Sequence, residues 1–180
     1  MVNYIEPTRE KKWQLWGNMK TRCYNQNYHK ERPGYAACTI CDEWLEDKRK
    51  FYEWVDRNFY VIDGEPTVEL DKDILIKGNK LYSPETCIFV PKRINDLFCH
   101  INGHTENGLP TGVMYSEKTG KYIAKTCIDR KKKTLGFFET PEEAFAEYKK
   151  HKEAEIIHTA DIYKDVIPEQ LYKAMIAWDL

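Results

Sequence analysis

Apolar positions in this chain follow helical spacing at both ends and fall into short extended runs through the middle. Over 11–24 (KKWQLWGNMKTRCY), Trp13, Trp16, Met19 and Cys23 recur at intervals of three and four residues, which predicts a helix with these side chains on one face. The polar stretch 25–36, with Pro33-Gly34 inside it, predicts a loop. A second amphipathic helix is predicted over 42–58, its apolar set being Trp44, Leu45, Phe51, Trp54 and Val55. Segments 67–75 and 81–90 flank the turn-prone KGNK and predict two extended pieces; PKRINDLF at 91–98 predicts a short helix, which completes the order of a ββα unit.

Residues 101–110 (INGHTENGLP) are poor in apolar side chains and predict a linker. Beyond it, GVMYS, KYIAKTCI and KTLGFF predict three short strands joined by EKTG and DRKK turns. A helix start is predicted at Thr140-Pro141-Glu142-Glu143: the Thr140 hydroxyl caps free backbone donors, Pro141 suits the first helical position, and Glu143 reaches back to close a capping box. Ala144, Phe145, Tyr148 and Ile156 form its face toward the sheet, and Ile167, Leu171, Met175 and Trp178 mark a last helix. If that last stripe were exposed it would suit a dimer interface; the oligomeric state stays open. The expected fold class is α+β: a ββα module with N-terminal helices over 1–100, a linker over 101–110, a three-stranded antiparallel sheet packed on one helix over 111–158, and a C-terminal helix over 159–180.

Composition narrows the classes. The chain is 42% hydrophobic and 13% aromatic, which fits a folded protein and not a disordered tail. No apolar run approaches the roughly 20 residues of a membrane span, and the N-terminus lacks a signal-peptide core, so a cytoplasmic protein without a membrane partner is expected. The six cysteines are not spaced like a secreted disulfide framework, which leaves free thiols or a metal site. The formal net charge of -1 hides a basic segment: over 111–139, seven lysines and arginines stand against three acidic residues, a net +4.

Two stretches carry a resemblance. WGNMKTRCY, the CDEW at 41–44, LDKD, YSPETCIFV and a following IN, all within 13–97, resemble a group of phage HNH endonucleases with an LDHID-like or LDRID-like core and a YxPENC-like segment. GVMYSEKTGKYIAKTCIDRKKKTLGFFETPEEAFAEY, within 112–156, resembles the Apetala or ethylene-response-factor type of DNA-binding domain, which accompanies HNH units in phage proteins. The resemblance implies a DNA-binding protein of phage HNH homing-endonuclease type, with double-stranded DNA as partner in the host-cell cytoplasm.

For the nuclease centre, the resemblance implies Asp71 as a ligand of Mg²⁺ or another divalent cation and Asn95 as a second ligand, with the general base at the position after Asp71. Lys72 stands there. An ammonium with a reference pKa of about 10.4 has no lone pair at neutral pH and would need lowering by about three units to act as a base. A degenerate centre is therefore the leading expectation. An active endonuclease working through Asp71, Asp73 or the nearby His100 or His104 is the alternative. A structural zinc at Cys38 and Cys41, with Cys23, Cys87 or Cys99 as further donors, is a weaker metal reading beside small buried packing residues. For the C-terminal module, the resemblance implies Tyr115, Lys118, Lys121, Tyr122, Lys125, Arg130 and Lys132 as contacts to phosphates and bases. A rival of another class is a phage-encoded inhibitor of a host defence enzyme, with the acidic stretches 42–47 and 139–147 mimicking DNA charge and a host protein as partner.

Overall fold

The computed structural model describes residues 1–98, 108–128 and 131–180. It is an α+β protein, and its contacts divide into two compact units, Met1–Asn95 with Tyr163–Ala174, and Asp96–Ile162 with Met175–Leu180. The residues after 158 are thus shared between both units. Of the expected linker, 101–107 lies outside the described residues, as do Cys99, His100, His104 and Arg130. Among the described residues, no helix is long and apolar enough to cross a membrane.

In the first unit, β1 (Asn3–Tyr4) is followed by α1 (Arg9–Tyr24), whose start is capped by Thr8 Oγ1 accepting from the Lys11 N–H at 3.2 Å. The buried stripe of α1 is Leu15, Met19 and Cys23, a repeat of four. Trp13 is 68% exposed, against the expected face. Two residues from Leu15 at about 100° per residue, Trp13 falls on the far side of the cylinder once Leu15 faces inward. Trp16 is half-buried, its ring 5.5 Å from that of Phe51.

The expected loop 25–36 instead holds α2 (Gln26–Glu31) and a 3₁₀ turn at Pro33–Tyr35. Asn25 Oδ1 accepts from the Tyr28 N–H (3.0 Å) and starts α2; a short helix with no buried residue has no apolar period to betray it. β2 (Thr39–Ile40) then leads to α3 (Asp42–Glu46) and α4 (Lys48–Asn58), so the single helix expected over 42–58 is two. Asp47 breaks it: in extended backbone, its Oδ1 caps α4 through the Arg49 N–H at 2.9 Å. Leu45 is exposed, while Trp44, Phe51 and Trp54 join Phe59 and Phe89 in the core, with Trp44–Phe51 and Phe59–Phe89 ring centroids at 4.9 and 5.1 Å.

β3 (Tyr60–Val61) pairs with β1, and β4 (Val68–Asp71) pairs antiparallel with β6 (Ile88–Pro91), in a register running from Val68 opposite Pro91 to Asp71 opposite Ile88. α5 (Lys92–Phe98) follows directly, which gives the strand, strand, helix order. β5 (Leu81–Tyr82) pairs in parallel with β2, so the extended piece expected over 81–90 is two strands. A turn separates them, closed by the Ser83 N–H to Thr86 Oγ1 (3.1 Å) and the Cys87 N–H to the Ser83 carbonyl (3.0 Å).

In the second unit, β7 (Val113–Ser116), β8 (Lys121–Ile128) and β9 (Lys131–Phe138) form an antiparallel sheet in sequence order. α6 (Pro141–Tyr163) packs on it through Ala144 and Tyr148 against Val113 and Ala124. The capping box is formed: the Glu143 N–H donates to Thr140 Oγ1, and the Thr140 N–H to Glu143 Oε2, both at 3.2 Å. Gly112 enters the sheet at φ +82°, where an added Cβ would lie 2.2 Å from the Tyr148 ring. After α7 (Glu169–Ile176), Trp178 meets Phe98 edge-on with ring centroids 4.7 Å apart. Leu171 and Met175 are fully buried, so the stripe that would suit a dimer if exposed is spent on the fold itself.

Candidate functional site

Strand alternation sets the first candidate site. Along β4, Val68 and Leu70 are buried and Glu69 and Asp71 half-buried, so Glu69 and Asp71 share one side and Leu70 and the following Lys72 the other. Asp71 Oδ1 accepts the backbone N–H groups of both Asp73 and Ile74 at 2.8 Å, an Asx-type turn that ends the strand. Burial, reinforced by the Asp73 carboxylate, outweighs those two donors and pushes the Asp71 carboxyl up to about 6.

Lys72 is 5% exposed. Its Nζ donates to Asp73 Oδ2 at 3.1 Å and lies over the rings of Tyr35 and Tyr82, 5.6 and 5.7 Å from their centroids. Burial pulls the ammonium toward its neutral form, but Asp73, with Cys38 and Asp71 behind it, outweighs burial and leaves the pKa above that of an ordinary lysine. A general base needs the opposite direction.

Asn95, on α5, donates from Nδ2 to Glu69 Oε2 at 2.6 Å, and Lys92 Nζ stands 4.0 Å from Glu69 Oε1. Glu69 was not legible as the partner of Asn95, although the period of two on β4 places it on the Asp71 side. Tyr35 and Tyr82, distant in sequence from Lys72, gave no signal. The donor set suits a divalent cation poorly: one Asp71 oxygen is held by two N–H groups, the Asn95 amide is bonded to Glu69, and an ammonium follows Asp71. Among the described residues no group of three or more His, Cys, Asp or Glu side chains is close enough to hold a metal ion.

Cys38 and Cys41 flank β2, and three residues of extended chain separate their Cα atoms by about 10 Å and turn the side chains to opposite faces. A shared zinc, with Zn–S bonds of about 2.3 Å, needs a turn between them instead. Both thiols, and those of Cys23 and Cys87, are pushed up by burial, away from the thiolate form a metal requires; Cys23 reaches about 12.

The second candidate site is the sheet of the second unit. Its register puts Val113, Ala124 and Gly136 in one row on the α6 side, and Tyr115, Tyr122 and Phe138 in another row on that side. Tyr122 packs against the core and its ring lies 5.1 Å from that of Tyr115, which is exposed at the margin. The open side carries the row Met114, Ile123 and Phe137 together with Lys121, Lys125 and Lys132. Met114 and Phe137 are 48% and 55% exposed there. Lys118 lies in the turn between β7 and β8, and a bulge at Ala124 and Lys125 shifts the β9 register. Lys121 Nζ donates to Glu139 Oε1 at 2.6 Å, an exposed pair that solvent and salt weaken readily. The sheet thus groups Lys121, Lys125 and Lys132 on one face and sets the two tyrosines on the other.

No protein-family profile, no curated protein and no solved structure matches this chain.

Proposed function

We propose that the chain is a duplex-DNA-binding protein of the phage HNH homing-endonuclease type whose nuclease centre is degenerate. The observation that carries the reading is the open face of the β7-β8-β9 sheet, where Lys121, Lys125 and Lys132 stand among exposed Met114 and Phe137 and half-buried Ile123. A sheet face of this kind fits a major groove about 12 Å wide: lysines neutralise phosphates as point charges, and apolar side chains meet thymine methyl groups. Against cleavage stands Lys72, buried, paired with Asp73 and held protonated beside Asp71.

The test is retention of a labelled duplex by the full chain across salt, beside incubation with supercoiled plasmid in Mg²⁺ or Mn²⁺. Salt-sensitive retention with a log-log slope of about -3 to -4 is expected, lost on combining Lys121→Ala, Lys125→Ala and Lys132→Ala, with no cleavage. Absence of duplex retention would overturn the DNA-binding reading. Cleavage that disappears in Asp71→Ala would overturn the degenerate centre.

A further inference from the structure

The first unit carries a charged surface that the sheet face does not include. α1 bears Arg9, Lys11, Lys12, Lys20 and Arg22 against a single acidic residue, Glu10. Helical spacing sets Lys11, Gln14, Asn18 and Arg22 in one row at intervals of three and four residues. Beside that row runs β4, and between them lies a groove of about 180 Å³ whose polar lining is Lys11, Gln14, Asn18, Arg22, Thr67 and Glu69.

The charges in this groove are unevenly matched. Lys12, on another side of the helix, is neutralised by Glu6 and Asp56. Lys11 Nζ meets only the Thr67 hydroxyl (3.4 Å) and the face of the Phe59 ring; Arg22 Nη1 donates to the Leu70 carbonyl (3.3 Å), and its guanidinium lies over the Tyr35 ring, 5.7 Å from the centroid, and hydrogen-bonds with Tyr82, so neither cation is paired with a carboxylate among the described residues. The one carboxylate in the lining, Glu69, is held by Asn95 and faced by Lys92. Gln14 and Asn18 are exposed between the two cations and offer amide donors. From Lys11 to Arg22 the row rises about 16 Å, the axial length of roughly five nucleotides of one DNA strand.

We infer that the groove between α1 and β4 is a second contact to the phosphodiester backbone of duplex DNA, in which Lys11 and Arg22 supply charge and Gln14 and Asn18 donate to phosphate oxygens. The inference rests on the proposed DNA-binding reading and adds a contact from the first unit to that of the sheet. Because it addresses phosphates alone, it contributes affinity without sequence preference.

Retention of two labelled duplexes of unrelated sequence by the full chain tests it, with wild type, Lys11→Gln, Asn18→Asp and the combined Lys121, Lys125 and Lys132 alanine variant side by side. Lys11→Gln is expected to raise Kd about fivefold on both duplexes and to make the salt slope shallower by about 1. Asn18→Asp, an exposed change that breaks no intramolecular bond and sets an anion against phosphate, is expected to raise Kd by a similar factor and keeps the test independent of any loss of folding in Lys11→Gln. If both groove variants bind as wild type does while the sheet variant fails, the groove contact is overturned and the DNA-binding reading stands. If wild type retains neither duplex, both are overturned together.

Discussion

The Lys72 ammonium lies 3.1 Å from the Asp73 carboxylate, with its stem buried and the carboxylate side chain 42% exposed. The pair is therefore asymmetric: loss of the cation leaves an anion that water can still solvate, whereas loss of the anion leaves a buried ammonium with only two aromatic rings and more distant charges around it. Lys72→Met, which keeps most of the volume, is expected to cost less than about 1.5 kcal/mol in urea denaturation, and Lys72→Ala about 2–4 kcal/mol through the cavity it opens between Tyr35 and Tyr82. Equal losses for both variants would mean that charge, not packing, holds this site together.

Asp71 makes stability depend on pH. Its folded pKa of about 6 lies above the unfolded value of about 3.8, so the folded chain binds the proton more tightly. The stabilisation is fully present below the unfolded value and is lost as pH rises through about 6. The swing is on the order of 1–2 kcal/mol, since the half-buried side chain keeps some contact with water. Asp71→Asn keeps an oxygen for the Asp73 and Ile74 N–H groups and should flatten the profile. Urea midpoints at pH 4.5 and 7 for both proteins check this; parallel profiles would count against the raised pKa.

Buried Tyr60 donates its hydroxyl to the Phe89 carbonyl at 2.9 Å, which ties β3 to β6. Tyr60→Phe removes the donor and leaves the buried carbonyl without that partner, so a loss of about 1–2 kcal/mol is expected by thermal or chemical unfolding.

Gly112→Ala combines two penalties, a left-handed backbone at φ +82° and a Cβ driven into the Tyr148 ring. A loss of at least about 3 kcal/mol is expected. The change Gly120→Ala, at φ +66° but in open space, should cost only about 1 kcal/mol. Calorimetry on the two variants separates collision from backbone strain.

Much of the second unit was legible because its signals are local. Thr140, Pro141 and Glu143 specify a helix start within four residues, and the turn at 117–120 separates strands whose alternation is short-range, although β9 starts at Lys131, inside the DRKK expected as a turn. The first unit was less legible. Asp47 breaks a helix through a cap that its polar character could equally leave in solvent, and the spacing that sets Trp13 beside Trp16 and Met19 does not say which of two overlapping faces turns inward.

The α+β class, the strand, strand, helix order around Asp71 and the three-strand sheet on a capped helix follow from local pattern, since periodicity, capping and turn chemistry act over a few residues. Packing in three dimensions sets Lys72 over the rings of Tyr35 and Tyr82, bonds Asn95 to Glu69, and brings Lys11 and Arg22 into one groove with β4. These relationships join residues far apart in the chain, and they are fixed by which apolar faces bury together, a choice that local pattern leaves open.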